Sequence, residues 1–395
     1  MFIGIANSIG QRWGGGVILP FEFTIDTNNT STGSSASNQF KLPLVSSLPL
    51  NAVVDWGDGN TDTITVWNQA ETTHTYASAG TYTVSITGDL SGWQFNNGGD
   101  RLKMLNVVSW GALNISVDSG FYGCSNMTST ASDVPTITST SLALYFESTK
   151  FNGELNYWDV SGVSNFSRMF RLASFFNKPL DLWDMSSATN LQTMFAYSSF
   201  NQNINSWNVS NVTNFTNTLA YCSFNQPLNL WTLNTLQPVN LQGMFESNNA
   251  FNQNIGSWNT QAVTNMRYMF DDCPTFNNGG SNSIGSWNTS AVTQMTNMFF
   301  NATSFNQDIS DWDVNQVSNF TNFMTSVTLS TTNYDLLLVD WEANLQSAYP
   351  GGVGYPFTIS ISFGGSKYTL GSSAATARAS LISNFGWTIT DGGGI

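Results

Sequence analysis

The chain has 395 residues and a net charge of −14, yet only 9% of its residues are charged while 14% are aromatic. That aromatic content excludes intrinsic disorder, and eleven scattered Lys and Arg residues form no basic patch for nucleic acid. No apolar run is long enough to span a bilayer, and the polar content is Asn, Ser, Thr and Gln, which suits a β-rich extracellular or virion scaffold.

Residues 1–20 come first. The segment lacks the basic start, the long apolar core and the small-residue cleavage site of a secretory signal. Phe2, Ile3, Ile5 and Ile9, followed by a hinge at Gly14–Gly16, fit a short anchor that docks into other virion proteins. A frayed terminus fits equally well.

Residues 21–90 read as a β-sandwich. Phe21–Ile25 alternates as a strand does, and Ala52–Val66 gives a strand, a Gly-rich turn and a second strand. Asp55, Asp58 and Asp62 bracket that turn. Three hard-oxygen carboxylates on one loop are candidate Ca²⁺ ligands, although Asp-Gly turns are also ordinary hairpin chemistry.

Residues 91–150 join this module to a repeat. Over 151–324, Phe-Asn recurs at Phe151, Phe176, Phe200, Phe224, Phe251, Phe276 and Phe305. The Asn slot is Asn152, Asn177, Asn201, Asn225, Asn252, Asn277 and Asn306. A Trp follows at Trp158, Trp183, Trp207, Trp231, Trp258, Trp287 and Trp312. A second apolar pair, such as Met169-Phe170 or Met194-Phe195, closes each unit. One unit cannot bury its own Trp and Phe, so the period predicts stacked copies with apolar columns inside. The Asn column then satisfies turn backbone, and these aromatics and amides are structural. Insertions at Leu236–Pro238 and Gly279–Asn282 should bulge as loops.

The segments FNQNINSWNVSNVTNFT (200–216) and FNQDISDWDVNQVSNFTNFM (305–324) resemble the BspA-type leucine-rich repeats of bacterial surface proteins. The WGDG at Trp56–Gly59, with His74-Thr75-Tyr76, resembles the PKD domain, an immunoglobulin-like extracellular module. Together the resemblances imply a mostly β chain. An immunoglobulin-like β-sandwich (21–90) would precede a leucine-rich-repeat-type solenoid (91–328, with entry coils to 150). A small α/β cap (329–395) would close it. Helical spacing of Tyr334, Leu337, Leu338, Trp341 and Leu345 predicts a helix over Asn333–Ser347, with a second over Ala374–Ser383.

Cys124, Cys222 and Cys273 are too few and too far apart for a disulfide framework, so free buried thiols are expected. The only histidine is His74, and no CxxC, HExxH or phosphate loop occurs. Glu147, Glu154, Asp159 and Asp184 are the carboxylates that a glycosidase would use, but the Asp after Trp repeats with the unit, which points to turn chemistry. The sequence therefore predicts a non-enzymatic attachment protein without a cofactor. A phage virion surface component (tail fibre, appendage or head decoration) is the first reading. A bacterial cell-surface adhesin is the alternative. Its partners would be a host surface glycan or protein and, through exposed strand edges, a second copy of the chain.

Overall fold

The computed structural model describes residues 19–45 and 49–395, so the anchor residues Phe2, Ile3, Ile5 and Ile9 lie outside the described residues. The N-terminal part is built on β1 (Phe21–Asp26), β2 (Gln39–Lys41), β3 (Asn51–Asp55), β4 (Thr61–Ile64), β5 (Thr73–Thr75) and β6 (Thr81–Asp89). Alternation in β1 turns Phe21, Phe23 and Ile25 inward, where they meet Val84 and Ile86 of β6. Antiparallel β1–β6 pairing sets Phe21 opposite Ile86 and Asp26 opposite Thr81.

Next come β7 (Met104–Ser109), β8 (Asn114–Ile115), β9 (Thr128–Ser129) and β10 (Thr136–Ile137). They are followed by β11 (Val239–Asn240) and β12 (Val263–Asn265), then β13 (Ser360–Ser362) and β14 (Thr388–Thr390). The main sheet runs β4-β3-β6-β1-β7-β9, and the other strands form two-stranded pairs.

This corrects the expected fold class. Helix accounts for 12% and strand for 17% of the chain, so it is not mostly β. The main sheet takes β7 and β9 from beyond residue 90, and β2–β5 is only a two-stranded pair, so no separate immunoglobulin-like sandwich closes over residues 21–90. Nor does the repeat carry the strand of a leucine-rich-repeat solenoid. Neighbouring units touch mostly through single parallel bridges, Asn165 to Asn190, Asn190 to Asn214 and Gln294 to Asn319 among them.

The physical reason is a backbone made of consecutive turns. In one unit the N–H groups of Phe166, Arg168, Phe170 and Leu172 donate to Asn190, Gln192, Met194 and Ala196 of the next. The residues between them close turns on their own unit, as Met169 does to Phe166 and Arg171 to Arg168. Such a ribbon needs two left-handed residues per unit, four positions apart. They are Leu144 and Ser148, Arg168 and Leu172, Thr193 and Tyr197, Asn217 and Tyr221, Gly243 and Ser247, Tyr268 and Asp272, Asn297 and Asn301, and Asn322 and Ser326. Gly243 adopts this conformation freely, and the non-glycine residues are held there against roughly 1–2 kcal/mol each.

Side chains stack into columns inside the ribbon. Trp183, Trp207, Trp231, Trp258, Trp287 and Trp312 lie parallel with ring centroids 6.0–6.5 Å apart. Each indole N–H donates to a carbonyl of the preceding unit, Trp207 to Leu180 at 2.8 Å for example. Phe170 and Phe195 stack at 5.6 Å and interleave with Phe176 and Phe200 at 4.0 Å.

The C-terminal end is sealed by α1 (Thr331–Ala348) and α2 (Ser373–Ser383), with the parallel β13–β14 pair beside them. Ser330 caps α1 by accepting from Asn333 N–H, and Ser372 caps α2. Helix α1 buries Tyr334, Leu337, Leu338, Trp341 and Leu345, and the Trp341 indole donates to Ile309, adding one more rung to the tryptophan ladder. Arg378 binds Asp391 at 2.7 Å, which also accepts from the Tyr334 hydroxyl.

Candidate functional site

The turn at Trp56–Gly59 shows how residue chemistry is spent on structure. Gly57 has φ +78°, and a Cβ there would run into the Thr83 carbonyl oxygen. Asp55 accepts from Gly57 N–H, Asp58 from Asn60 N–H, and Asp62 from the Trp56 indole at 2.8 Å. His74 lies parallel to Trp56 with centroids 4.8 Å apart, and its Nε2 is 2.8 Å from Asp58 Oδ2. Burial pushes the Asp58 pKa upward, but the bonds from His74 and Asn60 outweigh it and hold the carboxyl below its usual range. The three aspartates do not converge. Among the described residues, no group of three His, Cys, Asp or Glu side chains is arranged to hold a metal ion.

The carboxylates weighed for sugar cleavage are similarly engaged. Buried Glu147 accepts from Arg168 at 2.6 Å and Arg171 at 2.7 Å, and Glu154 pairs with Lys178. Asp159 and Asp184 cap the turns at Ser161 and Ser186, and the Ser186 bonds lower the Asp184 pKa. All three cysteines are free and buried; burial pushes the Cys222 thiol up to about 12, so it is no nucleophile at neutral pH.

The asparagine column forms a continuous ladder. Asn152 Oδ1 accepts from Asn177 N–H, Asn177 from Asn201, Asn201 from Asn225, Asn225 from Asn252, Asn252 from Asn277 and Asn277 from Asn306. Asn306 passes the ladder to Ser330 at the start of α1. Because each Oδ1 is fixed along the stack, the amide nitrogen is left as the end available to solvent or ligand.

Beside this ladder lies a shallow groove of about 690 Å³, lined by Asn177, Tyr197, Ser199, Asn201, Tyr221 and Ser247 among others. Tyr197 and Tyr221 are exposed and stack at 4.4 Å and 7°. Both occupy the second left-handed slot, with φ +60° and +55°, which bulky side chains rarely enter. Arg171 sits 5.9 Å from the Tyr197 ring. The Tyr221 hydroxyl donates to Glu246, which also accepts from Asn217 at 2.9 Å. Burial and then the Glu246 contact raise the Tyr221 pKa. The sequence reading missed this pair; the signal was present as Tyr two residues past Phe195 and two past Leu219, in a slot that elsewhere holds Ser148, Leu172, Ser247, Asp272, Asn301 or Ser326.

A buried acid next to the groove was also missed. Asp271 accepts from Asn297 through Oδ2, but its Oδ1 has no partner. Burial raises its pKa to about 6, with Asp272 and Glu246 adding to the rise. Its folded pKa lies above the unfolded value of 3.8, so its stabilising contribution is full below about 3.8 and is lost as pH rises through about 6. Asp271→Asn should therefore raise stability at pH 7–8 by roughly 1–3 kcal/mol and flatten the pH dependence between 4 and 7. Urea melts at several pH values check this, and an unchanged profile would rule it out.

No helix among the described residues is long and apolar enough to cross a membrane. No curated protein matches the chain, and neither does any solved structure. One family model matches twice, over residues 115–231 and 220–336, and it is described as "Mycoplasma protein of unknown function, DUF285". The matches span the stacked units from the entry turns to the start of α1, more than half of the sequence, and the chain therefore belongs to the DUF285 family.

Proposed function

We propose that the protein is a non-enzymatic attachment protein, whose stacked units hold a polar and aromatic groove in a fixed geometry for a surface ligand. The observation that carries this reading is the groove itself. Two exposed tyrosines are kept in a costly backbone conformation beside a ladder that orients amide groups. The ribbon calls for a left-handed residue at this slot in every unit, so what sets these two units apart is the side chain, an exposed stacked aromatic pair where the following units carry Ser247, Asp272 and Asn301. The residues that hydrolytic chemistry would need are engaged in turns and ion pairs instead.

The favoured setting is the surface of a virion. Three buried free thiols suit a chain folded in a reducing compartment before release, and a nearly lysine-free polar surface suits exposure to varied salt. A bacterial cell-surface adhesin is the second reading, favoured by a family described from Mycoplasma. Mass spectrometry of purified particles and of shaved cell surfaces separates the two. Detection in particles supports the first, and detection on cells alone supports the second. Failure of the labelled, purified protein to bind any candidate surface would defeat attachment altogether.

A further inference from the structure

We infer that the Tyr197–Tyr221 groove is a binding site for a neutral glycan, with a pyranose ring packed on the far face of Tyr221. This rests on the attachment reading above and gives its site a ligand class. Three observations lead to it.

The first is the way the aromatic column ends. Successive units place Leu172, Tyr197, Tyr221 and Ser247 in the same left-handed slot. Tyr197 covers one face of Tyr221 at 4.4 Å, whereas in the next unit the same slot holds Ser247, and Glu246 beside it meets the Tyr221 hydroxyl. The column stops in a step that borders the groove, and Ser247 is part of its lining. A flat aromatic face next to open space is the surface that the C–H face of a sugar ring covers, since it is apolar and rigid.

The second is the lining. Every residue of the groove is uncharged, although the chain carries −14. The charged groups that touch its tyrosines, Glu246 on the Tyr221 hydroxyl and Arg171 against the Tyr197 ring, are of opposite sign and are not part of the lining, so the groove itself presents no net charge to a ligand. Hydroxyl-rich neutral ligands are matched instead by the exposed Ser223 hydroxyl, by Ser199 as an acceptor, since its proton goes to the Ser174 carbonyl, and by amides.

The third is preorganisation. Asn177 Oδ1 accepts from Asn201 N–H and the Gln202 amide, and Asn201 Oδ1 accepts from Asn225 N–H and the Gln226 amide. Their amide nitrogens are therefore directed away from the ladder, one unit apart, as donors for sugar hydroxyls. The Glu246 bond fixes the Tyr221 ring before any ligand arrives.

The test uses the full chain and the double variant Tyr197→Ser, Tyr221→Ser. Serine is the residue that Ser247 shows to be compatible with this slot, so the variant should fold; equal melting temperature and circular dichroism establish that. Both proteins are titrated by calorimetry with β-1,4-linked glucose, N-acetylglucosamine and mannose oligomers. Binding of the wild type to one of them, weakened by about tenfold or more in the variant, is the expected result. No binding by the wild type, or binding that the variant retains in full, overturns the inference. Should the double variant not fold, Ser247→Trp is the second probe. It covers the far face of Tyr221 and should abolish binding, and undiminished binding overturns the inference. Attachment to cells separates the two levels. Attachment that the folded double variant keeps overturns the glycan groove and leaves the attachment reading standing, whereas no attachment by the wild type overturns the attachment reading itself.

Discussion

Trp231→Ala is expected to destabilise the protein by about 3–5 kcal/mol, the range for removing a fully buried large aromatic. Trp231 is 2% exposed and lies between Trp207 at 6.5 Å and Trp258 at 6.2 Å. Its indole N–H donates to Ile204 at 2.9 Å. Alanine would open a void across two interfaces and leave that carbonyl without its donor. Stability in a stack is close to a sum over neighbouring interfaces, so a break in the middle should also uncouple the two halves. Urea unfolding should show a lower midpoint and a broader or split transition. Trp231→Phe isolates the hydrogen bond and should cost about 1–3 kcal/mol. Trp158→Phe is the control, because the Trp158 indole nitrogen has no partner, and it should cost less than Trp231→Phe. Equal losses at the two positions would show that the ladder of indole bonds adds nothing.

The second large effect lies where the sheet meets the stack. Lys103 and Asp100 are both fully buried side chains, 3.4 Å apart. Lys103 donates to the carbonyls of Ser35, Ala36 and Gln39 and to the Ser35 hydroxyl. Asp100 accepts from the backbone of Ser35 and Lys41 and from the Ser35 hydroxyl. The pair thereby ties the 31–39 segment to the turn before β7. Burial lowers the Lys103 pKa, and Asp100 opposes that shift. Lys103→Met should cost about 3–5 kcal/mol, because it strands a buried carboxylate and several carbonyls. Adding Asp100→Asn should recover part of that loss, since the stranded charge is gone. Because the pair is shielded from solvent, the cost should persist in high salt, unlike that of a surface pair. A loss below about 1 kcal/mol, or one that salt removes, would contradict this account.

The periodic part of the molecule was readable because a column of identical residues leaves a period in the sequence. Phe, Trp and Asn recur at fixed offsets, and each type recurs in one physical role: ring stacking, indole-to-carbonyl bonding and amide-to-backbone bonding. The C-terminal helix was also readable, since Tyr334, Leu337, Leu338, Trp341 and Leu345 lie on one helical face. The strand content was misread. The mostly β expectation for the repeat rested on its resemblance to leucine-rich repeats, whereas its backbone is a ribbon of turns in which every second N–H leaves for the next unit. Its left-handed positions carry Arg, Thr, Tyr and Leu as well as Gly and Asn, so residue type gave no warning.

The sequence by itself determined that copies of one unit stack, which residues fill the columns and where the stack is closed by a helix. Those features depend on local spacing and on burial that any stacked arrangement provides. Only the tertiary structure decided the turn-built backbone, the joining of β7 and β9 to the N-terminal sheet, the Lys103–Asp100 tie and the groove at Tyr197 and Tyr221. Each depends on residues of different units or distant segments meeting in space. The groove in particular exists because one unit offers Tyr221 where the next offers Ser247, a difference that acquires meaning only when the two are neighbours.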